Sequence, residues 1–572
     1  MNQQTGITLT LDVGAAFPGV TATEETMLRT LSELSRNDAL IFCAKVNVLV
    51  TGFAGTMSRL DRQRAAIALL GVPQETATIN DFIRRNGIRD LPAIFFRGQL
   101  LELARWIGVH CQNQADEPQT FEKPATRSAF LQSALIASHF WSRRLFGTRL
   151  ANEGDPETQL KRALGAFRKG TEEGNEAPHP GIAVGRGWLL FSRYFRKRLT
   201  DFDTLFVART GLTLEQYYTC AFGLMKGTFA TKITEVIFPT RGFAAQTVAS
   251  GLFDQFVQLK SQTPEELTVA LQQDATGYKA LRERPIVNFP DNRSVILDPT
   301  IYFDTVAISP LFTVVRQAGS ARQNEIFGAF GLAFEDYATD HLTRVFPTSP
   351  GEVSGLASRV QGTTTAGLRF EIDAILNEAS SLVVFEMKAS WLREDKILTD
   401  DHETFIEHIR DVYGVSSKPG QRPKGVAQLA KVIGALARGE YGEYRFVKSI
   451  YPVLLVHDER MATAGLGHFL DQEFRGLLGT IPNTVYIHPL IVVTIADLEN
   501  LSTSIQAFSF MDFLHDYSIA NPERMQSVHN FLSTSEPYAS NIRAPQELIE
   551  ASYMLGQSIK AELFPKNTAI GT

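Results

Sequence analysis

Asp373, Glu386 and Lys388 lie in RFEIDAILNEASSLVVFEMKAS, residues 369–390, where two short apolar runs are joined by a polar turn. Side chains alternate between faces along a strand. In the first run Phe370, Ile372 and Ala374 are expected on one face, with Glu371 and Asp373 on the other. In the second, Val383, Phe385 and Met387 share a face, opposite Val384, Glu386 and Lys388. A hairpin that pairs Ile375 with Val384 sets Asp373 across from Glu386. Like charges facing each other across strands destabilise a sheet; at roughly 4 Å and an effective dielectric near 20 they interact at ~4 kcal/mol. A divalent cation reverses the sign. Mg²⁺ takes one or two carboxylates, waters and phosphate oxygens, and Mn²⁺ is expected to substitute. Such an ion activates water and stabilises charge on phosphoryl oxygens, and Lys388 would stand beside the attacking water or the charged phosphorane. This is chemistry for cutting a phosphodiester. The competing account is an amphipathic edge hairpin whose Glu386–Lys388 pair is simply solvated.

The elements that must position these groups alternate between helix and strand. NEIFGAFGLAFEDYATDHLTRVF predicts a helix of roughly twenty residues before the hairpin, and KGVAQLAKVIGAL a helix after it. SIYPVLLVHD (449–458) and VYIHPLIVVTIA (485–496) have strand character. The span from about 320 to 505 is therefore expected to be a mixed α/β domain.

On these residues the stretch resembles the PD-(D/E)xK nuclease superfamily, whose core carries an Asp on one strand and Glu-x-Lys on the next. Asp373, Glu386 and Lys388 map onto that signature, and Ile372 stands where many members have proline. The resemblance covers about a third of the chain. It implies a restriction-endonuclease-like α/β core with a central mixed sheet flanked by helices. It also implies Asp373 and Glu386 as ligands of Mg²⁺, Glu335 on the preceding helix as a further acidic group of the metal site, and Gln428 on the following helix as an active-site contact. A bacterial restriction or antiviral defence setting goes with such architectures. The sequence contains its own decoy, Glu394-Asp395-Lys396, but WLREDKILTDDHE has no strand pattern and is expected to be a solvated face.

Phosphates need cations. Lys418, Arg422 and Lys424 lie in SSKPGQRPKG, which leads into the Gln428 helix, and are expected to contact nucleic acid. A second cluster, GRGWLLFSRYFRKRLTDF, contains Arg193 and Arg196. Its aromatics Trp188, Phe191 and Phe195 fall at helical spacing, so they are expected in a core, with the arginines outside to track a strand. Other chemistries lack their signatures. There is no GxxxxGK[ST] loop, no GxSxG elbow, and HETFIEH is not HExxH.

The 572 residues are 44% hydrophobic and 21% charged, a globular composition, with a net charge of −6 and a pI near 6.1. A nucleic-acid surface must therefore be local. Three scattered cysteines offer neither a zinc site nor a disulfide framework, and the N-terminal stretch has no signal-peptide pattern, so a cytoplasmic protein without membrane contact is expected. Texture divides the chain into a helical N-terminal domain (1–115), a second helical region (125–285), the nuclease-like domain (290–510) and a C-terminal helical segment (511–572). PDNR is expected to turn a hairpin near 290, and a helix is expected over about 78–87. The function expected is a Mg²⁺-dependent endonuclease, with DNA favoured over RNA. Its N-terminal half would receive a protein partner or trigger, and a homo-oligomer is compatible with it. The alternative is a non-catalytic nucleic-acid- or protein-binding module on the same scaffold.

Overall fold

A computed structural model describes residues 10–51, 58–86, 93–112, 120–146, 165, 180–229, 236–243, 250–274, 277–346, 355–363, 367, 369–378, 380–399, 401–415, 423–441, 444, 447–504, 508–522, 524, 526–543 and 545–563. It is mixed α/β, with two sheets among many helices. No helix among the described residues is long and apolar enough to cross a membrane.

The smaller sheet contains β1 (Ile237–Pro239), β2 (Ser261–Gln262), β3 (Ile286–Asn288) and β4 (Arg293–Ile296), in the order β1-β4-β3-β2. β3 and β4 form the hairpin expected around PDNR, with Val287 opposite Val295 and Asn292 in the left-handed region at its turn. The helix expected over 78–87 begins earlier, at Pro73, where proline fits the first turn because its missing N–H has no partner there.

The larger sheet holds the hairpin of interest. Its strands are β5 (Gly355–Thr363), β6 (Arg369–Glu378), β7 (Ser381–Lys388), β8 (Ser449–Val456), β9 (Tyr486–Ile487) and β10 (Ile491–Thr494). The order is β10-β8-β7-β6-β5, with β9 also on β8. β5, β6 and β7 form an antiparallel meander, while β7, β8 and β10 run parallel. The run 485–496 is thus two short strands, followed by a helix from Ile495.

Each face of this sheet packs on helices. The Ser320–Val345 helix buries Ile326, Ala329, Phe330, Ala333, Phe334, Tyr337, Ala338, His341 and Leu342, a stripe at three- and four-residue spacing. This stripe shares a core with Ala374, Leu376, Val383, Phe385 and Met387. Full burial of each large side chain contributes ~1.5–3 kcal/mol. On the other face the Gly425–Ala437 helix shares a core with Ile372, Ile375, Leu382 and Val384. The first of these cores also draws in Phe191, Phe195, Phe206 and Tyr217, and a separate one unites Leu11–Leu49 residues with Phe130–Ala137 and Val295–Ile301 residues.

Candidate active site

The expected register holds: Ile375 pairs with Val384, and Ala374 with Phe385. Paired residues end there, and the same register continued by one step brings Asp373 to Glu386. The expected alternation does not hold throughout β6. Ala374 packs with the Ser320–Val345 side of the sheet, but Ile372 and Phe370 pack with the other. Faces slip at Asp373, which lies where β6 and β7 part. Its Oδ2 accepts a hydrogen bond from the Met387 amide at 2.6 Å.

Glu386 is only 2% exposed, so the account of a solvated pair fails. Lys388 Nζ lies 2.7 Å from Glu386 Oε1. Oε1 is buried, and the Lys388 ammonium is the charge beside it. Burial pushes the Glu386 carboxyl up to about 7; the ammonium of Lys388 opposes this and the charge of Asp373 adds to it. Burial also raises Asp373, against the Met387 amide and Lys388. For Lys388 burial favours the neutral amine, but Glu386, Asp373 and Glu335 outweigh it and raise its pKa, so it is an ammonium at neutral pH.

Glu335 joins the same group of charges. Burial pushes its carboxyl up to about 7, Asp373 adds to the rise, and Lys388 and Arg359 oppose it. Gln428 sits on the Gly425–Ala437 helix near the hairpin, but its Nε2 donates to the backbone carbonyl of Glu371 at 3.3 Å rather than to a site carboxylate.

The N-terminus of that helix is pinned under Glu386 by two glycines. Gly414 and Gly425 both have positive φ, 66° and 55°. A Cβ on Gly425 would collide with the Tyr413 carbonyl, and one on Gly414 with the Lys424 carbonyl. The Gly425 amide thereby reaches the Glu386 carboxyl and favours its charged form.

The basic residues are dispersed. Lys418 and Arg422 lie outside the described residues, and Lys424 is exposed at the N-cap of the Gln428 helix. Arg193 pairs with Glu547 at 3.3 Å and Arg196 with Asp203 at 2.8 Å. Phe191 and Phe195 are fully buried, as their spacing implied. The decoy corrects one expectation. Glu394 is not a solvated residue: its carboxylate accepts the Tyr278 amide at 2.5 Å and lies 3.8 Å from Arg282. Sequence reasoning missed Arg359, Asp336 and Gly425. None of these three stands in a sequence pattern that singles it out.

Carboxylate oxygens are the type of donor that Mg²⁺ takes. Both acids are held up by burial, and the Lys388 ammonium is the one cation at a contact distance from them among the described residues. Mg²⁺ needs only one or two carboxylates. Among the described residues no three His, Cys, Asp or Glu side chains form a group that could cage a metal by themselves. No protein-family model matches the chain, and no curated protein matches its sequence.

Proposed function

We propose that this protein is a metal-dependent phosphodiesterase acting on nucleic acid, DNA before RNA. One observation carries the reading. Where two strands part, buried Glu386 pairs with Lys388 at 2.7 Å, and the charges of Asp373 and Glu335 act on the same ammonium. A sheet has no structural need for that arrangement, which costs desolvation and repulsion. The order of helix, antiparallel meander, helix and parallel strand around it supports the likeness to the PD-(D/E)xK nucleases.

Asp373 and Glu386 would hold Mg²⁺, or Mn²⁺ in its place. Once bound, the ion would supply Lewis acidity toward the phosphoryl oxygens and toward water. Lys388 is kept protonated by the acids around it, so it acts as a fixed positive charge rather than a base; it balances negative charge as that builds on the phosphoryl group. Glu335 titrates near neutrality and is suited to take the proton that water releases. The Gly425 amide orients Glu386.

The test is incubation of labelled duplex DNA, single-stranded DNA and RNA with Mg²⁺, Mn²⁺ or EDTA. Cleavage that requires the ion and disappears in Asp373→Ala supports the reading; no cleavage of any substrate sinks it. The non-catalytic module draws on the fact that the described carboxylates form no ready metal cage. Calorimetric titration of Mg²⁺ and Mn²⁺ into wild type and Asp373→Ala separates the two, because only the enzyme needs an ion site that Asp373 completes.

A further inference from the structure

Arg359 lies in the edge strand β5, between the pairs Ser358–Ala374 and Val360–Ile372, and so opposite Asp373. Its φ is 51°. A left-handed residue other than glycine costs ~1–3 kcal/mol, and such strain persists where surrounding contacts hold it. Of the three such residues among those described, Arg359 is the one within a strand. Its guanidinium pairs with Asp336, the neighbour of Glu335 on the Ser320–Val345 helix. Asp336 is already held by Arg198, in a fork of 2.6 and 2.7 Å. One carboxylate thus has two arginines, and Arg359 is the more exposed, at 48% against 31% for Arg198. Arg359 also acts electrostatically on both Glu335 and Asp373, favouring their charged forms. It is therefore a cation at the rim of the acidic group, on a carboxylate that does not need it, beside a site that must accept a polyanion. Lys388, paired with Glu386 and 23% exposed, sits deeper in the site than Arg359 and leaves the rim to it.

We propose that Arg359 grips a phosphate of the bound strand: it rests on Asp336 in the free protein and transfers to a non-bridging phosphate oxygen when nucleic acid arrives, while Arg198 keeps Asp336 neutralised. A planar guanidinium can engage a phosphate through two parallel hydrogen bonds. The strained backbone sets that side chain beside the site. The proposal rests on the phosphodiesterase reading and adds a residue that the signature Asp, Glu and Lys do not include.

The experiment measures binding of a labelled DNA duplex across a salt series, in an uncleaving Glu386→Ala background. Arg359→Ala and Arg359→Gly should both weaken binding, by about tenfold, and flatten the salt dependence by ~0.9 in the log–log slope for one lost phosphate contact. Arg359→Gly should melt above Arg359→Ala, because glycine relieves the positive φ; equal loss of binding in both then assigns the effect to the side chain and not to strain. Asp336→Asn should tighten binding several-fold, and should do so only when Arg359 is present. Tightening of equal size in the Arg359→Ala background would show a general loss of negative charge and overturn the resting position on Asp336. Unchanged affinity and slope in both Arg359 variants overturns the phosphate contact. In the cleaving protein Arg359→Ala should raise KM and leave kcat nearly intact; a fall in kcat at constant KM also overturns it. If the unsubstituted protein neither cuts nor binds the duplex, the phosphodiesterase reading itself fails, a result distinct from cleavage that ignores Arg359.

Discussion

At the scale of the residue, the site is defined by acids that the fold holds at a cost. Burial pushes the carboxyls of Glu386 and Glu335 up to about 7, while Lys388 and the Gly425 amide act in favour of ionised Glu386. Asp373→Asn and Glu386→Gln should therefore abolish cleavage while raising the metal-free melting temperature at neutral pH or above. The rise should be about 1–2 °C for each kcal/mol of desolvation and repulsion relieved, since the shift shrinks with the size of the unfolding unit. Thermal melts with and without Mg²⁺ check this; loss of both activity and stability would make these acids structural. The types and spacing of Asp373, Glu386 and Lys388 were legible because charged residues inside β-branched runs are unusual. Arg359 was not, because nothing in ASRVQG announces a left-handed arginine in a strand. Asp336 was equally silent, since its partners lie 23 and 138 residues away in sequence.

At the scale of the element, the hairpin register followed from pairing apolar residues, and that pairing is local. The slip of faces at Asp373 did not follow, because it depends on which helix each side chain meets. The glycine contact between residues 414 and 425 also needs the third dimension. Gly425→Ala combines a positive φ with a collision against the Tyr413 carbonyl. It should destabilise by more than ~1 kcal/mol, and should lower cleavage by moving the helix N-terminus away from Glu386. Chemical denaturation together with a cleavage assay would show both losses; an unaltered midpoint would mean that the turn relaxes freely. The decoy segment behaves differently. Glu394→Ala should cost about 1 kcal/mol by leaving the Tyr278 amide without its acceptor, yet cleavage of folded protein should remain within a few-fold of wild type. A loss of kcat as large as that of Lys388→Ala would put the catalytic Glu-x-Lys at 394–396 instead.

At the scale of the whole molecule, buried charges join the helical N-terminal half to the second half of the chain. Arg186 makes a fork with Glu499 at 2.7–3.0 Å, reaches Glu459 at 2.9 Å, and shares Glu499 with the Tyr337 hydroxyl at 2.6 Å. Tyr337 belongs to the same Ser320–Val345 helix as Glu335, so the tie holds the helix that carries Glu335. A basic cluster in the sequence suggested a surface; for Arg186 the structure gives a nearly buried ion pair whose partner is 313 residues distant. A second buried charge governs how stability responds to pH. Lys260 is 4% exposed, donates to Ser309 Oγ, and lies 5.4 Å from the Tyr217 ring centroid. Burial, with Arg316 adding to it, lowers its pKa from 10.5 to about 7. Below pH 7 the folded and unfolded states both carry the proton, and the folded state bears the full cost of burying it. Between about 7 and 10.5 the unfolded chain keeps the proton and the folded one does not, so stability rises with pH across that window. Lys260→Met removes the titrating group and keeps most of the volume. Denaturation midpoints of wild type should therefore climb from pH 7 to pH 9 relative to those of Lys260→Met, with the variant the more stable of the two at pH 7. Parallel midpoints at both pH values would show that Lys260 stays charged in the core, held by a partner stronger than Ser309.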